Sequence, residues 1–391
     1  MLSIVRTKLR GLLFDELICR RYRARLATTA REREAIYRLR YRVYAQEQSN
    51  LDHPEVDMKR RRVCSEIDED PATRIYYLGD PGRPLGTVRL RVWGPGEAPA
   101  EVVRFHSLDL LPEVDRLTVG DIKMVMIEPR LRGTNAAGAM LVNALVAAMR
   151  ERPVDVWFAI SAPGLLRRYH MLGFDAHGGR LVGGTRGLEV SILGLAGDLA
   201  EIERRGSPIV RAMRRAGVPQ GGPWIATIRA HMAADRKVVR DPSKVRAAIE
   251  RLALVPGSVV QGMSRPALRQ LAREGVLLEL DAGDKLLHEG FVAKDLYVVV
   301  DGRVQFTREG GLLGEGGAGC CAGETALLET RGRHGSTCAA TTPARVVVLR
   351  PRRIRALARR SRSEYAAELR RFRARLRSAR AERERVRPSA A

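Results

Sequence analysis

Cysteine is scarce in this 391-residue chain, and the five that occur, Cys19, Cys64, Cys320, Cys321 and Cys338, show none of the paired spacings of a zinc site or a disulfide framework. They are read as packing residues, and no metal is expected. Long apolar runs are missing as well. No segment approaches the ~18 uninterrupted apolar residues of a membrane-spanning helix. The basic N-terminus lacks the apolar core and small-residue cleavage site of a secretory signal, so the expectation is a cytoplasmic protein. Lysine supplies only seven of the 69 cations. So lopsided a preference for arginine fits a composition bias as well as it fits a selected binding patch.

What is present is ordinary globular material. The chain is 45% hydrophobic and 29% charged, which excludes a disordered, collagen-like or coiled-coil chain. At ~150 residues per domain, two or three domains are expected. The net charge of +24 is concentrated at the ends: residues 350–391 carry +12 and residues 1–25 carry +5, leaving +7 for everything between. A nucleic-acid partner is therefore not expected from charge alone.

Residues 1–27 place Leu2, Val5, Leu9, Leu12, Leu13 and Leu17 at helical spacing among basic residues. This amphipathic helix either packs on the protein's own body or makes a peripheral contact with the inner membrane face. Residues 28–205 read as a mixed α/β domain. Helices are expected at Arg31–Gln46, Ala137–Arg150 and Pro163–Met171, with strands at Thr73–Leu78, Gly86–Trp93, Leu117–Ile127 and Val154–Ile160. Residues 206–262 form a helical connector. From 263 to 362, short strands at Val276–Leu280, Lys285–His288, Asp295–Val300, Val304–Arg308 and Arg345–Leu349 suit a small β-roll. An Arg-rich helical tail, 363–391, carries the apolar stripe Tyr365, Leu369, Phe372, Leu376 and Ala379. The stripe fits a lid or the seam of a homodimer.

Two constellations carry chemistry. In the first, the strand ending Met126-Ile127-Glu128-Pro129 runs through Arg130-Leu131-Arg132-Gly133-Thr134-Asn135-Ala136-Ala137 into a long helix, an arrangement that aims backbone N–H groups at an anion. Tyr169-His170-Met171-Leu172-Gly173-Phe174 follows some 30 residues later. Together these resemble the GNAT superfamily of N-acyltransferases. The front of the domain, Tyr37-Arg38-Leu39-Arg40-Tyr41-Arg42-Val43-Tyr44 with Glu66-Ile67-Asp68 and Gly86-Thr87-Val88-Arg89-Leu90, resembles the branch of acyl-homoserine lactone synthases and N-acyl amino acid synthases.

The resemblance implies an acceptor site at Arg40, Asp68 and Arg89, with a plain ion-pair network as the other reading of the same residues. It also implies a donor loop at Arg130, Arg132, Gly133, Thr134, Asn135 and Ala137. Asn135 replaces a motif glycine; it tolerates positive φ, but its side chain narrows the approach to a phosphate. That favours an acyl carrier protein, with its single phosphodiester, over coenzyme A as the thioester donor. Thioester chemistry needs a base for the amine, donors for the oxyanion and an acid for the thiolate. Asp121 is the candidate base with Glu128 behind it, Tyr169 is the candidate acid, and the backbone N–H groups of Met124–Ile127 are the candidate oxyanion donors.

The second constellation is Gly323-Glu324-Thr325-Ala326-Leu327-Leu328, continuing to Arg333-His334-Gly335-Ser336. A glycine turn opening a short helix, a carboxylate one residue on and an arginine ten residues after the glycine suit a ribose phosphate. The segment resembles the phosphate cassette of cyclic nucleotide-binding domains, as do the Asp281-Ala282-Gly283-Asp284 turn and the Leu296–Val304 strand pair. The resemblance implies that Glu324 holds the ribose hydroxyl and Arg333 the cyclic phosphate of cAMP or cGMP, with Gly323, Thr325 and Ser336 completing the site. Gly332 in place of proline and Ala322 in place of an aromatic loosen the pattern. The expected whole is an N-acyltransferase acting on an amino-acid-like amine and regulated by a cyclic nucleotide. Two alternatives stay open: a non-catalytic nucleotide-responsive binding protein and a protein lysine acetyltransferase using acetyl-CoA.

Overall fold

The computed structural model describes residues 14–48, 50–51, 53–184, 187–207, 209–234, 237–239, 241–292, 294–329, 332–351, 354–355 and 366–385. The first half of the expected N-terminal helix and Tyr365 lie outside these residues. Two compact units divide the chain. One comprises Met1–Ile160, Arg168–Gly178 and Ser191–Ala234; the other comprises Ser161–Arg167, Gly179–Val190 and Asp235–Ala391.

In the first unit a π-helical turn at Phe14–Cys19 precedes strand β1 (Arg25–Leu26). Helix α1 (Ala30–Arg40) begins where Thr29 and Glu32 close a capping box, Glu32 N–H donating to Thr29 Oγ1 at 3.2 Å and Thr29 N–H to the Glu32 carboxylate at 2.9 Å. The helix expected to reach Gln46 changes character at Tyr41, and Tyr41–Glu47 is π-helical, a widening frequent at functional positions. A hairpin of β2 (Val56–Asp57) and β3 (Arg62–Val63) follows.

The main sheet is built from β4 (Thr73–Asp80), β5 (Arg83–Trp93), β6 (Val119–Ile127), β7 (Val156–Ser161), β8 (Phe174–Gly184) and β9 (Gly187–Leu195), with β1 at one edge, in the order β1-β4-β5-β6-β7-β9-β8. Helix α2 (Ala100–Phe105) lies between β5 and β6, α3 (Ala136–Glu151) between β6 and β7, and α4 (Leu166–Met171) between β7 and β8. Strands β6 and β7 pair in parallel, which requires a crossover, and α3 supplies it. Small residues on α3, Ala136, Ala139 and Ala144, are fully buried and let the helix lie close to the sheet. Gly120 serves a similar close approach: a Cβ there would lie 2.4 Å from the ring of Trp157, its partner on β7. After β9 come α5 (Leu199–Arg204), α6 (Val210–Arg215) and α7 (Pro223–Ala234). Ile225 and Ile228 of α7 join Trp93, Val119, Phe158 and Leu193 in one core cluster, so this stretch of the expected connector is core material.

The second unit contains β10 (Val238–Val239), α8 (Pro242–Leu252), α9 (Arg265–Glu274), β11 (Val276–Leu280), β12 (Lys285–Leu287), β13 (Leu296–Asp301), β14 (Val304–Arg308), β15 (Gly311–Gly316), β16 (Cys321–Ala322), α10 (Thr325–Leu328), β17 (Thr337–Ala340), β18 (Ala344–Leu349) and α11 (Ala366–Arg385). Two antiparallel sheets, β10-β11-β18-β13-β16 and β12-β17-β14-β15, make a β-roll. All five expected strands are present. The unmarked ones, β15, β16 and β17, are short or glycine-rich. The early segments belong to the unit physically: the buried Asp295 carboxylate accepts the Gly164 N–H at 3.1 Å. Among the described residues no helix is long and apolar enough to cross a membrane.

The stripe of α11 is buried in this unit's own core, with Leu369, Phe372 and Leu376 among Val245, Ile249, Leu271, Val298 and Val347. Phe372→Ala is expected to lower stability by about 3–5 kcal/mol. The exposed neighbour Arg371→Ala is expected to change it by less than about 0.5 kcal/mol. Denaturant midpoints of the two variants check the difference.

Candidate functional site

Arg40 lies one helical turn after Ile36 on the inner face of α1, so the helix carries a guanidinium into the interior. A charge held away from water needs an opposite charge at good geometry. Asp68 provides it, accepting from Arg40 at 2.8 and 2.9 Å, with both side chains fully buried. Asp68 also accepts the Ser65 N–H at 3.1 Å, which closes the short turn Glu66–Asp68. Arg89 of β5 approaches Asp68 at 3.3 Å, the Ser65 hydroxyl at 3.3 Å and Glu55 at 3.5 Å. The three expected acceptor-site residues thus meet in one buried cluster, and among the described residues Arg40 Nε and Nη2 and Glu55 Oε2 have no hydrogen-bond partner. Burial, with Asp68 and Glu69 adding, holds the neighbouring Tyr37 phenol above its usual range.

Asp121 is the third residue of β6, opposite Arg91 on β5 and Phe158 on β7, so it caps no turn. Its carboxylate is buried 3.4 Å from Lys123 Nζ, and burial pushes its pKa up. Further along, Thr87 of β5 faces Met126 and Arg89 faces Lys123, so two residues of β6, Met124 and Val125, oppose Val88 alone. This is a β-bulge, and Met124 adopts φ +53° within it. Bulges re-aim strands beside active sites, and a left-handed non-glycine residue stores strain there. The β6–β7 ladder covers only Val119–Ile122 against Val156–Ala159, while β6 continues to Ile127. The bulged end of β6 therefore lies beyond the ladder.

The loop after β6 holds its own charges. Glu128 pairs with Arg130 at 2.9 Å and Arg42 at 3.7 Å. Arg132 grips Glu47 with two nitrogens, one contact at 2.6 Å, and donates to Ile127 O at 3.2 Å. Gly133 takes the positive φ, +89°. Asn135 does not: it is the N-cap of α3 at φ −85°, ψ 2°, so the glycine replacement demands no left-handed backbone. Thr134 Oγ1 accepts the Ala136 N–H at 3.1 Å, and Ala137 lies in the first turn of α3. Tyr169 is half-buried on α4, its ring edge-on to Phe174 at 5.8 Å. An apolar cavity in this unit is lined by Val142, Met149, Trp157, Phe174, Ile202 and Met213.

One buried residue escapes sequence reasoning. His106 is buried after α2, its ring centroid 4.5 Å from that of Phe158, and among the described residues neither ring nitrogen is hydrogen-bonded. Burial, helped by Lys123 and His177, pushes its pKa down to about 3. A single histidine in an irregular segment carries no periodic signal.

In the second unit Gly323 sits at φ +79°, and a Cβ there would lie 2.4 Å from Asp295 O, so the turn accepts glycine alone. Glu324 and Thr325 are buried where α10 begins. The Glu324 carboxylate is 2.7 Å from a guanidinium nitrogen of Arg383 on α11. Arg333 is exposed and donates to Gly290 O at 3.2 Å, and Ser336 is half-buried. Among the described residues no cluster of three His, Cys, Asp or Glu is placed to hold a metal.

Residues 35–184 match the family described as N-acyl amino acid synthase FeeM, and residues 277–361 match the cyclic nucleotide-binding domain. Both matches fall on the stretches that carry the resemblances in the sequence. Among solved structures, the chain is similar to FeeM, an N-acyl amino acid synthase from uncultured soil microbes. Identity is 16% over 44% of this chain and 89% of that one, with a TM-score of 0.33. A cyclic nucleotide-binding domain from Methylobacillus flagellatus is similar at 18% identity over 38% of this chain and 84% of that one, TM-score 0.32. A cyclic nucleotide-binding-like protein from Brucella abortus is similar at 25% identity over 29% and 98%, TM-score 0.26. No curated protein matches the chain.

Removing half of the buried pair, as in Asp68→Asn, is expected to destabilise the protein by about 3–5 kcal/mol, because Arg40 is left uncompensated. Thermal melting checks this. His106 gives a pH dependence. Its folded pKa of about 3 lies below the ordinary 6.5, so the unfolded chain binds the extra proton between those values. Stability from this group is full above pH 6.5 and is lost by about 1.4 kcal/mol per pH unit on the way down to about 3. Urea midpoints of His106→Phe are expected to fall less steeply with acid than those of the wild type.

Proposed function

We propose that this chain, which joins an N-acyl amino acid synthase domain to a C-terminal cyclic nucleotide-binding domain, is an N-acyltransferase of the GNAT type. It moves an acyl group from a thioester to the amine of an amino acid or related small molecule, and cAMP or cGMP alters its rate. The observation that carries the reading is the bulged end of β6, which runs past its ladder with β7 and leads through the loop 128–135 to the N-terminal turn of α3. A thioester laid along that end has β6 amides for its carbonyl and helix N–H groups for its phosphate.

In the reaction the acceptor nitrogen attacks the thioester carbon, a C–N bond forms and the C–S bond breaks. Asp121 takes the amine proton; its raised pKa brings the carboxylate closer to the working pH of a base. Glu128 is tied to two arginines and is the weaker candidate. Tyr169 gives the departing thiolate its proton. Arg40 and Arg89, held by Asp68, set the positive end of the site that receives an acceptor carboxylate. On the donor side, Arg132 is committed to Glu47 and Arg130 pairs with Glu128, which leaves the α3 turn for phosphate. So light a charge complement suits the single phosphodiester of an acyl carrier protein better than the several phosphates of coenzyme A. Regulation is supported by the second unit, which incorporates Ser161–Arg167, a stretch that includes the first two residues of α4 and ends two residues before Tyr169 in sequence. Coupling of this kind is typically worth ~1–3 kcal/mol, or about 5- to 150-fold.

Free-thiol release from acyl-CoA and acyl carrier protein thioesters, with mixed amino acids and with or without cAMP or cGMP, tests the reading. Turnover is expected to change with nucleotide, to lose that response in Arg333→Ala, and to fall about 10²-fold in Tyr169→Phe. Absence of turnover with every donor would overturn it.

A further inference from the structure

We propose that the nucleotide cassette is plugged by the protein's own tail, with the Arg383 guanidinium occupying the carboxylate of Glu324, so that a cyclic nucleotide enters by displacing the last turn of α11. The proposal rests on the reading of Gly323–Ser336 as a nucleotide cassette.

Three contacts seat the plug. Arg383 lies 2.7 Å from the Glu324 carboxylate, donates from Nη1 to Cys321 O at 3.0 Å, and stacks over the Phe306 ring with its Cζ 4.7 Å from the centroid. Arg380, one turn earlier on the same helix face, pairs with Glu329. Glu324 and Glu329 flank α10 at its two ends, so the last turn of α11 brackets the short helix of the cassette. The helix is not a loose end. Leu369, Phe372 and Leu376 anchor it in the core, and Glu368 accepts the Ser264 N–H at 2.8 Å.

The two anchoring residues of the cassette are consequently in opposite states. Arg333, the phosphate partner, is exposed and holds only a backbone carbonyl, Gly290 O, among its described contacts. Glu324, the ribose partner, is 11% exposed and already satisfied by a cation. Ribose hydroxyls and the guanidinium compete for this carboxylate, whose Oε2 the guanidinium already holds at 2.7 Å. Release of Arg383 is local: only two residues of α11 follow it, and a terminal turn opens more readily than the helix body. A nucleotide's apparent affinity is then its intrinsic affinity multiplied by the fraction of molecules with the plug out. The arrangement makes the release of the tail the event that nucleotide binding reports.

Calorimetric titration of the full chain with cAMP and cGMP tests the plug, together with limited trypsin digestion followed at the tail. Wild type is expected to bind one of the two nucleotides, and binding is expected to speed tail cleavage. Arg383→Gln is expected to bind about tenfold tighter. Equal or weaker binding by a folded Arg383→Gln overturns the proposal while leaving the cassette reading intact. Should that variant fail to fold, Arg380→Gln loosens the same turn without touching Glu324. Tighter binding by it supports the plug, and unchanged or weaker binding overturns it. If wild type and both variants bind neither nucleotide, the cassette reading itself fails and the plug falls with it.

Discussion

A guanidinium carried into the interior on a rigid helix has no water to turn to, and the neighbouring chain must be arranged around that fact. Arg40 is the case on which the first unit depends. Its position one turn from Ile36 makes its burial unavoidable once α1 packs on the sheet, and its reply from Asp68 fixes the Ser65–Asp68 turn, which in turn receives Arg89 from β5. Arg89 faces Lys123 at the register shift, so the charge cluster and the bulge in β6 are neighbours on one strand pair. Replacing such a pair by apolar residues of the same volume is often neutral in stability. What the pair confers here is placement, since the carboxylate that pairs with Arg40 also holds β5, the strand against which the bulge of β6 is built.

Legibility in the sequence followed periodicity. The strands Thr73–Asp80, Arg83–Trp93 and Ala344–Leu349 and the helix Ala136–Glu151 announce themselves through alternation or helical spacing, and the boundaries shift by only a few residues. The meeting of Arg40, Asp68 and Arg89 was legible because three separated motifs named them. The bulge at Met124 was not, because a bulge is a mismatch between two strands and neither strand alone records it. His106 was missed for a related reason: its isolation from hydrogen-bond partners is a property of what surrounds it. Nor did the Asn135 substitution disclose that Gly133 alone takes the left-handed backbone of the loop.

Arginine's dominance over lysine has a structural counterpart in the tail. Read as charge, residues 350–391 look like a patch offered to an anionic partner. Arg355 instead caps the open carbonyls of α10, donating to Ala326 O at 2.6 Å, Leu327 O at 3.1 Å and Glu329 O at 2.9 Å. Arg375, Arg380 and Arg383 likewise bond to the unit's own backbone and carboxylates. A planar fork with five donors can satisfy several acceptors at once, which an ammonium cannot do with the same geometry. Part of the net charge is therefore internal mortar.

The composition of the second unit bears on how the molecule can come into being. Ser161–Arg167 and Gly179–Val190 emerge during synthesis well before Asp235–Ala391, yet they belong to the same compact body, and the Gly164 amide finds its acceptor on Asp295. The Gly164 amide must wait for this acceptor until more than a hundred further residues have been made. Splitting the gene after Ala234 would not separate two self-sufficient halves, since the later half would leave Asp295 buried without the N–H it accepts. The division into two compact bodies thus does not follow the order of the chain.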